Sequence, residues 1–167
     1  MKIAFAAAFA IVLLFAPSLT AKGPTLKITI EGSDLARPIE ITDPTILQQF
    51  NIWSGPGTSS NESKSFIVNW SNGVVPERPK GLRRYQVSFY ADHGFGLKKP
   101  AYVVLYEYDD SSGHGYVYLP GKGEQWYAQN VTSISRGVEG NWFHGWDQWD
   151  AVVKRLLPKS SSALSIQ

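Results

Sequence analysis

Along this chain apolar side chains alternate with polar ones in several short runs, each bounded by glycine, proline or small polar residues. Leu26, Ile28 and Ile30 stand against Lys27, Thr29 and Glu31, the period of two that a half-buried strand requires. Gly32 ends the run. A second alternation over 38–42 (PIEIT) opens on a proline, which suits a strand start, and pairs naturally with the first. Asp43-Pro44 then reads as an N-cap followed by proline at the first helical position. It predicts a short helix over 45–50 with Ile46, Leu47 and Phe50 turned inward.

The segment 53–65 (WSGPGTSSNESKS) is nearly all turn-forming residues and predicts a surface loop with Trp53 at its lip. The apolar run 66–70 (FIVNW) reads as a strand closed by Ser71-Asn72-Gly73, and the prolines between 76 and 80 forbid regular structure. Three more strands follow at 84–91, 101–108 and 116–119, joined by Gly-bearing connections of hairpin size. The first of them sets Tyr85, Val87 and Phe89 on one face. In 101–108 one face carries Tyr102, Val104, Tyr106 and Tyr108 and the other Ala101, Val103, Leu105 and Glu107. A strand apolar on both faces lies in the middle of its sheet with cover on each side. Trp142, Trp146, Trp149, Val153 and Leu156 recur at steps of four, three, four and three. That helical stripe, with Asp147 and Asp150 early and Lys154 and Arg155 late as the helix dipole favours, ends at Pro158. The predicted class is α+β: an antiparallel β-sheet meander of about six strands, a short helix after the first hairpin and a C-terminal amphipathic helix packed on the sheet.

The ends bear on location. Lys2, an apolar run of 14 residues from Ile3 to Ala16, Pro17 and the small segment Ser18-Leu19-Thr20-Ala21 follow the order of a secretory signal peptide. The run is short of the roughly 20 residues that span a bilayer, so no stable membrane span is expected once residues 1–21 are removed. A cut after Ala21 sets Leu19 at position −3, and one after Thr20 sets Ser18 there; both stay open. A short buried or membrane-tethering helix left in place is the other reading. One domain is expected over 22–158, with a disordered Ser-rich tail at 159–167. There is no cysteine, which excludes disulfides and a lipid-bearing N-terminal cysteine. The fold must rest on its core.

Charge narrows the partners. The chain carries a formal net charge of +2, a near-neutral balance that gives nucleic acid no support as a partner. No cofactor motif is present. Gly115 to Lys122 (GYVYLPGK) has five residues between its glycines and lacks the Ser or Thr of a phosphate loop, and Gly94-Phe95-Gly96 lacks the third glycine of a dinucleotide fingerprint. His93, His114 and His144 lie too far apart in sequence for the close ligand pair of a zinc site. Glu107 has apolar neighbours on its own strand face; it is either a carboxyl with a raised pKa or the partner of Arg83 or Arg84 in the preceding strand. With Asp92 and His93 it forms the best available acid–base set. Arg78, Lys80, Arg83, Arg84, Lys98 and Lys99 bracket one hairpin, as a patch for an anionic polymer or as solvated strand ends facing Asp109 and Asp110.

Aromatic residues are the one marked bias, with six Trp and eight Tyr. Exposed ones stack on sugar rings or anchor a protein partner, and Trp53, Trp126 and Tyr127 near predicted loops, with Tyr106 and Tyr108, are the candidates. Trp142, Trp146 and Trp149 are assigned to the core by their helical spacing. Asn61, Asn69 and Asn130 head glycosylation sequons, which matter only in a eukaryotic secretory pathway.

The run 26–51 (LKITIEGSDLARPIEITDPTILQQFN), with YVYLPG at 116–121 and GVEGNW at 137–142, resembles small uncharacterised exported bacterial proteins that begin with a similar hairpin and helix start. The resemblance implies a bacterial source and a periplasmic or secreted destination, and transfers no activity or site residue. Together these features predict an exported, non-enzymatic domain that binds a glycan or protein of the cell envelope or extracellular space through exposed aromatics, Trp53, Trp126 and Tyr127 first among them, and the loop at 53–65. A small secreted hydrolase of cell-wall or extracellular polymer, using Glu107, Asp92 and His93, is the alternative.

Overall fold

The structure, a computed structural model, describes residues 23–32, 34–58, 65–92 and 96–158. The expected leader at 1–21, residues 59–64 of the expected loop, His93 and the expected tail at 159–167 lie outside the described residues. Six strands form one antiparallel sheet: β1 Thr25–Gly32, β2 Ile39–Ile41, β3 Arg83–Ala91, β4 Tyr102–Asp109, β5 His114–Tyr118 and β6 Trp142–His144. Their order is β2-β1-β3-β4-β5-β6, so the long strands β3 and β4 occupy the centre. Three α-helices accompany them: α1 Pro44–Leu47, α2 Tyr127–Ser133 and α3 Asp147–Leu156. The α+β class and the C-terminal helix agree with the sequence pattern. Among the described residues no helix is long and apolar enough to cross a membrane.

Period-two alternation sorts the sheet into two faces. Ile28, Ile30, Tyr85, Val87, Phe89, Tyr102, Val104, Tyr106, Tyr108, Val117 and Phe143 are all buried on the first. α3 packs there, its Trp149 set edge-on to Phe50 at 5.1 Å and to Tyr106 at 6.1 Å between centroids. α1 starts as expected: the Asp43 carboxylate accepts from the Thr45 backbone N–H at 2.8 Å and Pro44 is its first residue. Gly115 is dictated by close approach, since a Cβ there would stand 2.2 Å from the hydroxyl of Tyr106. The ring needs that space to reach Asp150 on α3, whose carboxylate accepts from its hydroxyl at 2.7 Å.

Three expectations are corrected. The run 66–70 is not a strand: Val68 makes one isolated bridge, to Gly145, while Phe66, Ile67 and Val68 fill the core beneath the sheet. Trp142 is not helical, because the chain stays extended through Trp142–His144 and α3 begins only at Asp147. The loop at 53–65 does not hold Trp53 in water. That indole is 8% exposed and donates its N–H to the Gly23 carbonyl at 2.8 Å, joining the core.

The second face is only partly covered. Beyond the end of β5, Asn130 of α2 substitutes for a neighbouring strand: its side chain accepts from the Val103 N–H at 2.8 Å and donates to the Val103 carbonyl at 2.6 Å. That amide is buried and spent on the sheet, so Asn130 has no room for a glycan in this fold. Past α2, the second face opens.

Candidate functional site

Strand register builds the open face from two adjacent rungs. One runs Arg84, Glu107, Tyr116, His144 across β3 to β6, and the next runs Gln86, Leu105, Tyr118, Trp142. Residues opposite one another in antiparallel strands share a face, so eight side chains of four strands meet on one surface. The ring centroids of Tyr118 and Trp142 are 5.0 Å apart and those of Tyr116 and His144 5.4 Å apart. A half-exposed aromatic shelf results.

Trp126 closes one end of that shelf. It is the only non-glycine described residue with positive φ, at 72°, a left-handed conformation that costs a residue with a Cβ on the order of 1–2 kcal/mol. Its indole N–H donates to Gln86 Oε1 at 3.0 Å, which holds the ring on the sheet. With Leu105, Tyr118, Pro120, Glu124 and Gln125 it lines a hollow of about 350 Å³. The Tyr118 hydroxyl donates to Glu124, and its pKa is pushed up by burial and then by that carboxylate. Tyr127, first residue of α2, is half-buried.

Arginines dominate the neighbouring rung. Glu107 is 4% exposed and its carboxylate accepts from Arg78 Nε at 2.6 Å, Arg78 Nη2 at 3.1 Å and Arg84 Nε at 2.8 Å, with Arg84 Nη2 at 2.6 Å. Arg78 comes from the proline-bearing segment between Val75 and β3. That segment is tied to β6 by the Val75 N–H donating to the Trp142 carbonyl at 2.8 Å. Its guanidinium lies 3.9 Å from the centre of a Trp142 ring, so the aromatic and cationic parts of the face are one construction. Arg78, Lys80, Leu82, Arg84 and Glu107 are among the residues lining a second hollow, of about 430 Å³.

The residues expected from sequence are dispersed. Trp126 lies on the shelf and Tyr127 follows it at the start of α2, while Trp53, Tyr106 and Tyr108 are in the core on the far side of the sheet. Glu107 pairs with Arg84, as the ion-pair reading expected, and with Arg78 as well. Asp92 follows the end of β3 and is exposed. Arg84, opposite Glu107, is eight residues earlier on that strand, which places the two carboxyls roughly 25 Å apart. Glu107 and Asp92 therefore do not form one acid–base pair. Of the basic residues, Arg83 turns away to Asp110 at 2.7 Å and Asp34 at 3.0 Å, and Lys98 lies at the far end of β3. Only Arg78, Lys80 and Arg84 gather.

Among the described residues, His114, Asp147 and Asp150 each bring one metal-ligand atom within 4.8 Å of the others. Asp150 is already engaged by the Tyr106 hydroxyl and by the Gly115 N–H at 2.9 Å, and burial pushes its carboxyl pKa up. The group is a polar network fastening α3 to β5.

Sequence reasoning missed Trp142, Tyr116 and Tyr118 as surface residues, and it named Arg78 in the basic patch without its partner Glu107. A signal for the first existed: Gly140-Asn141 before it and Gly145 after it bound a three-residue alternation. No family model matches the chain, and no curated protein or solved structure matches it either. Function has to be read from the geometry alone.

Proposed function

We propose that this chain is an exported, non-enzymatic binding domain and that the open face around Trp126, Tyr118 and Trp142 takes a saccharide. The observation that carries the reading is the aromatic shelf itself. Three large rings stand half-exposed on a rigid sheet beside hydrogen-bonding groups from Gln86, Glu124 and Gln125, a combination suited to a ring with one apolar face and a hydroxylated rim. One of the three is held there against its own backbone preference, and strained residues cluster at ligand sites. The leader-like segment at 1–21 supports an extracytoplasmic location, where polysaccharides are the abundant polymers.

The test is tryptophan fluorescence titration of the full chain with soluble oligosaccharides and polysaccharides, alongside Trp126→Ala and Trp142→Ala. Saturable quenching by at least one saccharide, weakened tenfold or more in both variants while their circular dichroism is unchanged, is the expected result. Absence of binding across neutral and acidic sugars refutes the reading. Intact mass of the protein recovered from culture fractions tests export, with loss of residues 1–20 or 1–21 expected.

A further inference from the structure

We infer that the saccharide is acidic: the Arg78–Arg84 pair reads a carboxylate or sulfate borne by the polymer whose ring lies on the aromatic shelf. This rests on the saccharide reading of that face and adds the chemical class. A buried carboxylate needs one guanidinium to neutralise it, and Glu107 has two. One carboxylate against two guanidiniums and the Lys80 ammonium leaves two positive charges around the second hollow.

The donors are also prepared for a second acid. Arg78 meets Glu107 through Nε and Nη2, and Arg84 does the same. Among the described residues neither Nη1 has a hydrogen-bond partner. Side-chain exposure is 28% for Arg78 and 54% for Arg84 against 5% for Glu107, so the guanidiniums lie outward and the acid beneath them. Contact with Trp142 at 3.9 Å and the bonds to Glu107 fix the Arg78 plane before any ligand arrives. A planar, preorganised donor set of this kind favours carboxylate or sulfate over a hydroxyl.

Spacing joins the two halves of the face. The Arg78 and Arg84 guanidiniums lie 3.9 and 5.9 Å from Trp142 ring centres, so a sugar ring over Tyr118 and Trp142 carries its acidic substituent to the arginine pair. An acidic peptide is the competing ligand of equal charge. An extended peptide gains most of its affinity by pairing with a free strand edge. The outer edge of β6, beside the site, is already met by bridges from Val68 to Gly145 and Val74 to Phe143. Nucleic acid fits less well, since the Glu124 carboxylate lies in the shelf hollow where the backbone phosphates would run.

The experiment compares polygalacturonate with its fully methyl-esterified form, which loses the charge and gains one methyl per residue, using the full chain at two salt concentrations. Binding of the acid form about tenfold or more tighter, with a preference that shrinks as salt rises, is expected, the worth of one charge-assisted hydrogen bond. Arg84→Gln abolishes the preference while retaining binding of the ester. Arg155→Gln, exposed on α3 across the sheet, retains the preference. Should Arg84→Gln fail to fold, Arg84→Lys, which keeps the charge and loses the fork, is expected to weaken the preference several-fold. Equal binding of acid and ester overturns the inference and leaves the saccharide reading standing. Binding of neither form nor of any other saccharide refutes that reading as well. Tighter binding of an acidic peptide or of single-stranded DNA than of polygalacturonate overturns the assignment to a glycan.

Discussion

Replacing Arg136 with methionine should destabilise this protein more than its position two residues after Ile134, in an irregular stretch, suggests. Arg136 is 4% exposed and, among the described residues, its guanidinium meets no carboxylate directly. Instead it donates to the carbonyls of Ile52 at 2.5 Å, Ser54 at 2.8 Å and Pro56 at 3.2 Å and to the Tyr102 hydroxyl at 3.2 Å. The rings of Phe66, Tyr102 and Trp70 surround it at 4.7, 5.0 and 5.3 Å. Burial pulls its pKa down, the mark of a cation that has surrendered water. Methionine fills similar space and donates nothing. The Ile52 bond is buried, so its carbonyl loses its donor at about 1–3 kcal/mol, and the desolvated cation–π contacts are worth about 2 kcal/mol more. Relief from burying a charge offsets part of this. A net loss of about 2–4 kcal/mol follows, with a fall of about 10 °C in the thermal midpoint. Urea denaturation followed by circular dichroism measures it, and Arg136→Lys separates charge from shape. One ammonium cannot span carbonyls spread over Ile52 to Pro56, so lysine should recover less than half of the loss. A methionine variant within about 0.5 kcal/mol of the parent, or full rescue by lysine, would refute the reasoning.

Two further outcomes test other parts of the structure. At Trp126, glycine should be more stable than alanine by about 1 kcal/mol in urea denaturation, because only the Cβ-free residue accepts φ of 72° without strain; alanine equal to or better than glycine would contradict that geometry. At Asp150 the folded pKa lies above the ordinary 3.8, so the folded state binds the proton more tightly than the unfolded. Its contribution then falls as pH rises from about 3.8 through the raised folded value. Asp150→Asn should remove that slope at a cost of about 1–3 kcal/mol at neutral pH, because its carbonyl takes the Gly115 N–H and the buried Tyr106 hydroxyl proton loses its acceptor; thermal midpoints recorded from acid to neutral pH decide, and an unchanged slope counts against the assignment.

Much of the secondary structure was legible because it is written in local periods. Alternation marked β1, β2, β3 and β4 and told which side chains share a face, and Asp43-Pro44 marked the start of α1. Two errors have one cause. The step of four from Trp142 to Trp146 continues the true stripe of α3 by coincidence, and the run 66–70 has strand composition without a strand partner. Periodicity reports the company a residue keeps within a few positions, and pairing is decided by segments far away.

The candidate site was legible only in part for the same reason. Trp126 was visible as an aromatic near a loop, and Glu107 as an acid with an arginine in reach. Residue types alone determined that the chain has no cysteine to brace it, is rich in aromatics and builds an antiparallel sheet whose central strand is apolar on both faces. Tertiary structure alone decided which aromatics face water. It took Trp53 into the core through a carbonyl 30 residues earlier, and turned Trp142 outward beside Tyr118. It also carried Arg78 across 29 residues of sequence to share a carboxylate with Arg84. A period of two assigns each side chain to one side of a strand. Whether that side is buried depends on which distant segment covers it, and α2 stops short of covering this one.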